Sequence, residues 1–319
     1  MNAESAHIEA LRALAASPAA RGLADDAAVL DFGGDALVLT LDTVVEGVHF
    51  LPDDPPGDVA WKLVAVNVSD LAAKGADPVG CLYSHALGED LWDTAFLAGL
   101  AEACAHFAIP LLGGDTVRMP RNAPRSFSLT ALGRGPKGRP APARGDAQPG
   151  DRLWVSGTIG DAGLGLAILT GARTAATGCA QVLARRYRRP EPSPALGRAL
   201  APLVNAMMDV SDGLLVDAAR MARASDCAIG IAADAVPLSA EAREFAGDTL
   251  KSRLAAMTAG DDYCLLFSAP ADRSERIREV AANLGRNLYA IGSVSAGQGV
   301  TLLHFGDPVP LPKRLGYEH

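Results

Sequence analysis

The stretch PGDVAWKLVAVNVSDLAAKGADP, residues 56–78, decides how the first half of the chain folds. Trp61, Val64, Ala65, Val68, Leu71 and Ala72 recur every three or four residues, the period of one helix face. Gly75 and Pro78 end the pattern, because glycine accepts the left-handed cap and proline lacks an amide hydrogen. The spacing predicts a helix over 56–74, with Asn67 and Asp70 one turn apart on the face opposite the apolar stripe. Asp70 sits near the negative end of the helix dipole, where a carboxylate needs a cation or a hydrogen-bond donor beside it.

On the N-terminal side, residues 27–32 and 36–41 read as two strands of a hairpin around Gly33-Gly34. Residues 4–16 read as an amphipathic helix carrying Ile8, Leu11 and Leu14. On the C-terminal side come a strand (79–87), a helix (91–107) and two further strands (109–113 and 125–133). The segment GRGPKGRPAPARGDAQPGD, residues 133–151, is rich in glycine, proline and arginine and marks a domain boundary. A length of 319 residues is about twice that of a usual domain, so the expected division is 1–147 and 148–319. The second part opens with a strand (152–156) and a glycine-rich turn (157–165). It continues through helical stretches to a short strand entering DVSDG (209–213) and a helix over 214–224. This mixed order predicts two α+β domains and not one doubly wound sheet.

With 49% hydrophobic and 21% charged residues, the composition is that of an ordinary globular protein. A net charge of −8 with only five lysines argues against a nucleic-acid partner. Cys81, Cys104, Cys179, Cys227 and Cys264 are scattered without CxxC spacing. That excludes a disulfide framework and a thiolate zinc site, and fits the cytoplasm. The longest uncharged stretch, 287–306, contains four glycines and two serines and is no membrane span. The early Glu4 and the lack of a basic start argue against a signal peptide. The chain has no GxxxxGK[ST], GxSxG or HExxH, and its glycine turn (Gly157, Gly160, Gly163, Gly165) does not fit GxGxxG, which disfavours P-loop kinases, serine hydrolases, zinc proteases and nicotinamide dehydrogenases.

What remains is aspartate at the ends of elements. Asp25-Asp26 precede the first strand and taken alone read as solvated loop charge. Asp42 follows Val38 and Thr40 at the strand period of two, although a strand-end aspartate is also a common turn former. In Gly113-Gly114-Asp115-Thr116 the glycines either make a tight turn or let the backbone approach a ligand whose metal Asp115 holds. In DVSDG a strand would point Asp209 and Ser211 to one side, with Asp212 capping the next helix. Asp26, Asp42, Asp70, Asp115, Asp209 and Asp212 together make the hard-oxygen set that Mg²⁺ prefers. Mg²⁺ bridges carboxylates to phosphates, so it would let an acidic protein hold a polyanion.

DDAAVL (25–30), LTLDTVVEGVHF (39–50), NVSDLAAKGADP (67–78), GGDT (113–116) and DVSDG (209–213) resemble, in order and spacing, the thiamine-monophosphate kinases. These belong to the aminoimidazole ribonucleotide synthetase-like ATP-binding superfamily, and the resemblance runs from Asp25 to Tyr317. It implies ATP-dependent phosphorylation of thiamine monophosphate to thiamine diphosphate. It implies several Mg²⁺ ions held by Asp26, Thr40, Leu41 (through its carbonyl), Asp42, Asp70, Asp115, Asp209 and Asp212. ATP would meet Gly114, Asp115, Arg144 and Ser211, and thiamine monophosphate His49, Asp261 and Tyr317. The implied fold has two α+β domains, the N-terminal ones pairing into a homodimer across a shared β-barrel, with no nucleic-acid or membrane partner. No catalytic acid or base is expected, because the acceptor is already an anion and phosphoryl transfer rests on positioning and charge neutralisation.

Three positions depart from the family pattern: Ala24 replaces a glycine, Leu41 a frequent threonine, and Asp261 the usual glutamate. The run Arg185-Arg186-Tyr187-Arg188-Arg189 reads as a solvated helix end. Sister enzymes fit less well. Selenophosphate synthetase normally carries a reactive Cys and a Lys in its N-terminal loop, and no such pair precedes Asp25. The hydrogenase maturation protein ends in a cysteine-bearing tail, whereas this chain ends LGYEH. A non-catalytic acidic metal-binding protein is the alternative from another class, but the aspartates lack EF-hand spacing.

Overall fold

The first half of the chain wraps one sheet around a buried helix. The structure, a computed structural model, describes residues 3–12, 14–120, 123–174 and 177–317. Helix α1 (Ala3–Arg12) is shorter than expected; Ala13 lies outside the described residues and Leu14 is exposed in a turn. Strands β1 (Ala28–Phe32) and β2 (Asp35–Val45) form the hairpin, with Gly33 and Gly34 both at positive φ. Helix α2 (Pro56–Ala73), β3 (Asp77–Leu87), α3 (Asp90–His106), β4 (Leu111–Arg118) and β5 (Ser126–Arg134) complete this half. The sheet order is β1-β2-β5-β3-β4, antiparallel except for the parallel β3–β4 pair.

The glycines of GGDT lie inside edge strand β4, not in a turn after a strand at 109–113. A Cβ on Gly114 would stand 1.9 Å from the Tyr83 carbonyl oxygen, so glycine here serves the close approach of β4 to β3.

Residues 135–150 carry a single bridge, Ala143 to Ala206, and lead into the second half. Its elements are β6 (Asp151–Val155), α4 (Asp161–Leu169), α5 (Thr177–Arg188), α6 (Pro194–Leu200), β7 (Ala206–Asp209), α7 (Leu214–Ala224) and β8 (Ala228–Ala232). They continue with α8 (Ala240–Ala246), α9 (Leu250–Met257), β9 (Leu265–Pro270), α10 (Ser274–Asn283), β10 (Tyr289–Ser295), β11 (Gly299–His304) and β12 (Asp307–Val309). Seven strands are ordered β12-β11-β8-β10-β6-β9-β7, with only β8–β11 parallel. The glycine-rich turn ends at Gly160; Gly163 and Gly165 belong to α4.

The two halves share a core in which Ala72 and Ala73 of α2 pack with Trp154, Leu196, Leu200, Met207 and Phe267. Gly197 of α6 permits this, since a Cβ there would meet the Ala72 carbonyl oxygen at 1.9 Å. Enclosed by the first sheet, α3, α6 and β7, helix α2 has every residue from Val59 to Ala73 buried. The expected polar face therefore does not meet solvent, and Lys62, Asn67, Ser69 and Asp70 find their partners inside the protein.

Only part of the arginine run is solvated: Arg185 and Arg186 are exposed, and the rest turns inward. Tyr187 is buried, Arg188 pairs with Asp54 at 2.6 Å, and Arg189 pairs with Asp58 at 2.5 Å. The reason is tertiary: the end of α5 docks beside the start of α2, where Trp61 Nε1 donates to the Pro190 carbonyl at 2.9 Å.

Candidate active site

The period of two along β2 turns Val38, Thr40, Asp42 and Val44 toward α2 and leaves the Leu41 side chain exposed on the other face. Facing them, Asn67 accepts the Asp42 N–H at 3.1 Å and donates to the Leu63 carbonyl at 2.9 Å. The Thr40 hydroxyl donates to the Asp70 carboxylate, supplying the donor that its place in the helix requires. Ser69 donates at 2.6 Å to Asp209, the last residue of β7. Asp26 is held by Arg144 and by Lys74 at 2.9 Å. Asp25 is no solvated loop charge: it is buried between Lys74 and Arg21, each at 2.5 Å.

The charges in this cluster do not balance. Burial opposes ionisation of Asp26, but Lys74 and Arg144 outweigh it and hold its carboxyl down to about 2. Burial, then the charges of Asp212 and Asp26, pushes Asp42 up to about 6. Burial followed by neighbouring aspartates drives Asp70 and Asp209 well above the usual carboxylate range. Carboxylates and hydroxyls crowded short of positive charge suit Mg²⁺ chemically. Among the described residues no three His, Cys, Asp or Glu side chains already form a metal cage. Mg²⁺ keeps several waters and shares substrate phosphates, so it does not require an all-protein cage.

The DVSDG segment differs from expectation. Strand β7 stops at Asp209, so Ser211 lies in a bend beyond it. Gly213 occupies the N-cap of α7 and Asp212 caps nothing, because it pairs with Arg220. The anchor is Asp217, fully buried in the first turn. Its Oδ2 accepts the N–H groups of Ser211, Asp212 and Gly213 at 3.1, 3.1 and 3.2 Å.

A second cluster adjoins the first. The His49 carbonyl accepts from Lys62 Nζ at 2.9 Å and from the Tyr187 hydroxyl at 3.3 Å, while His49 Nδ1 accepts the Val45 N–H. Asp261 pairs with Lys62 at 3.0 Å through Oδ2 and accepts the Tyr263 hydroxyl at 3.1 Å through Oδ1. Its loop lies on DVSDG, with the Asp261 N–H on the Ser211 carbonyl at 2.7 Å. The Tyr317 N–H donates to the Asp212 carbonyl at 2.8 Å, leaving its ring half exposed. Behind Asp261 a cavity of about 110 Å³ is lined by Thr158, Arg186, Glu191, Cys264 and Arg286.

One chain thus gathers Asp26, Thr40, Asp42, Asp70, Arg144 and Asp209, with Ser211, Asp212, His49, Asp261 and Tyr317 around them. It does not gather Gly114 and Asp115. Strands β5 and β3 separate β4 from β2, a span of about 14 Å at the usual strand spacing. Asp115 also pairs in register with Ser84, alternating with the buried Tyr83 and His85.

Comparison with known proteins agrees with this architecture. Residues 24–134 match the family described as AIR synthase related protein, N-terminal domain, and residues 148–304 match its C-terminal domain. The thiamine-monophosphate kinase of Caulobacter vibrioides is 41% identical over 314 residues, 95% of this chain and 86% of that protein. The chain belongs to the thiamine-monophosphate kinase family. A solved member from Stenotrophomonas maltophilia K279a is 38% identical, with a TM-score of 0.79 over 95% of this chain and 96% of that one. A structure described as AaThiL complexed with AMPPCP and TMP is 29% identical, with a TM-score of 0.85 over 100% and 99% of the two chains. The two-domain, mixed α+β fold is therefore the AIR synthase-like fold of this family.

Within the thiamine-monophosphate kinase fold, sequence reasoning missed Lys62, Lys74, Ser69, Asp217 and Arg220. The two lysines had a signal: each interrupts or ends the apolar run of 59–73, where a solvated charge has no face to occupy. Asp217 and Arg220 had none, since a charged first turn is ordinary in any helix.

Proposed function

We infer that the protein transfers the terminal phosphoryl group of ATP directly to thiamine monophosphate, giving thiamine diphosphate and ADP, the last step of thiamine diphosphate biosynthesis. The observation that carries this is kinship with thiamine-monophosphate kinases over nearly the whole chain, joined to a buried carboxylate cluster short of positive charge. Bound Mg²⁺ ions would neutralise the phosphates of donor and acceptor. Asp26, Thr40, Asp42, Asp70, Asp209 and Asp212 would hold them, with the Leu41 backbone carbonyl beside them. Arg144 and Ser211 would orient ATP, and His49, Asp261 and Tyr317 the acceptor. No side chain is asked to move a proton, because an anionic phosphate oxygen attacks.

Gly114 and Asp115 would complete the site from a second copy. The outer face of the first sheet exposes Leu41, Val79, Leu82, Leu112 and Val117, an apolar surface beside an unpaired edge strand. Two such faces closing into a β-barrel would form the homodimer. Sedimentation velocity tests this, and a monomer at micromolar concentration would refute it. The division at residues 147 and 148 is supported by the gap between the two matched segments. A cytoplasmic setting is supported by five free cysteines; no helix among the described residues is long and apolar enough to cross a membrane.

The deciding assay supplies ATP, Mg²⁺ and thiamine monophosphate. ADP and thiamine diphosphate should form in equal amounts, and free thiamine should be a poor acceptor. Efficient phosphorylation of thiamine with none of the monophosphate would sink the assignment.

A further inference from the structure

Helix α2 buries Lys62 almost completely, leaving its side chain 2% exposed. An ammonium taken out of water is costly unless paired, and a buried ion pair adds little stability over apolar packing. The value of such a residue lies in the geometry that it imposes. Lys62 Nζ donates to the His49 carbonyl at 2.9 Å and to Asp261 Oδ2 at 3.0 Å. Its charge stands 3.9 Å from the centre of the Tyr187 ring, whose hydroxyl reaches the same His49 carbonyl. Lys62 and these partners come from four pieces of chain: α2 itself, the turn after β2, the end of α5, and the loop before β9. Asp261 has φ +68°, a conformation that a non-glycine residue keeps only when its surroundings over-determine it. Lys62 holds one carboxylate oxygen and Tyr263 the other, which fixes the plane of the group.

We propose that Lys62 is a positioning residue of the acceptor pocket. One ammonium joins His49 to Asp261 across the seam between the two domains, and so sets acceptor affinity separately from the ATP side. The proposal rests on the assignment of Asp261 to thiamine monophosphate, and its test separates the two. Full-length Lys62→Met, Lys62→Gln, Asp261→Asn and the double variant Lys62→Met/Asp261→Asn are titrated with thiamine monophosphate and, separately, with ATP plus Mg²⁺. Melting curves and steady-state kinetics accompany the titrations. Lys62→Met should weaken thiamine monophosphate by about tenfold or more, raising KM more than it lowers kcat, with ATP affinity changed by less than about twofold. Lys62→Gln, which still donates a hydrogen bond, should lose less. The double variant should lose less than the product of the single losses, because one residue acts through the other.

Equal losses for both ligands, full additivity, or failure of both Lys62 variants to fold would overturn the proposal and leave Lys62 a residue of stability. If Asp261→Asn itself leaves the acceptor affinity intact, the assignment of Asp261 fails and the proposal with it. If Asp261→Asn weakens the acceptor and Lys62→Met does not, the proposal alone fails.

Discussion

The two ends of helix α2 handle buried charge in opposite ways, about 12 Å apart along the axis from Lys62 to Asp70. At the Lys62 end the protein supplies its own cation, and Asp261, the His49 carbonyl and the Tyr187 ring are all matched to it. At the Asp70 end the matching stops short. Lys74 and Arg144 keep Asp26 ionised, while Asp42, Asp70 and Asp209 are pushed upward by burial and by one another. Under the proposed function, the deficit of positive charge would lie where phosphates and their metal ions are brought together, and the closed, balanced pair where a thiazolium would bring a cation of its own.

The largest effect should come from the deficient end. Asp42→Asn or Asp70→Asn, and Asp115→Asn acting from a second copy, should lower turnover by about 10² or more at saturating Mg²⁺, the scale of losing charge stabilisation at a phosphoryl group. Metal-free Asp70→Asn should melt no lower than the parent, because the native carboxyl already resists ionisation. Near-normal turnover in a folded variant would remove that residue from the metal set.

A smaller loss is expected at the balanced end. Tyr317→Ala and Asp261→Ala should weaken thiamine monophosphate by about 5–30-fold, the worth of a partly desolvated cation–π or charge contact of about 1–2 kcal/mol. ATP affinity should hold. Equal weakening of both ligands, with a lowered melting temperature, would make these residues structural.

The smallest effect is in pH. The Asp42 carboxyl is raised in the folded protein from 3.8 to about 6, so the metal-free fold binds a proton that the unfolded chain releases. Its contribution to stability is therefore present below about pH 4 and lost as pH rises through about 6. Asp26, held near 2, is ionised in both states above pH 5 and adds no slope there. Metal-free protein should gain a few degrees in melting temperature between pH 7 and pH 5, and Mg²⁺ should abolish the gain while releasing protons on binding at pH 6. Calorimetry in two buffers of different ionisation heat would detect that release, and its absence would mean that Asp42 meets no metal.

Most elements were legible because their periods are local. Helix 56–73 and helix 214–224 lie within one residue of the limits read from spacing, and the hairpin turns at Gly33-Gly34 as read, although its second strand runs four residues further, to Val45. The paired glycines of GGDT misled because a turn and a close strand approach ask the same thing of a glycine, namely the lack of a Cβ. Only the Tyr83 carbonyl at 1.9 Å distinguishes them. Asp212 misled because capping is a local rule and Arg220 was a better partner.

By itself the sequence determined which residue types the chain offers and in what order: aspartates at element ends, a long apolar helix, an arginine-bearing linker, and motifs that name a family. Spacing settles these because helix and strand periods act over a few residues. Tertiary structure decided which carboxylates meet, since Asp42, Asp70 and Asp209 belong to β2, α2 and β7 and converge only when two sheets close on one helix. It also decided that α2 has no solvent face, which turns Lys62 and Lys74 from ordinary helix charges into buried partners. A charge's energy depends on what surrounds it in space, and one chain's spacing does not encode that surrounding.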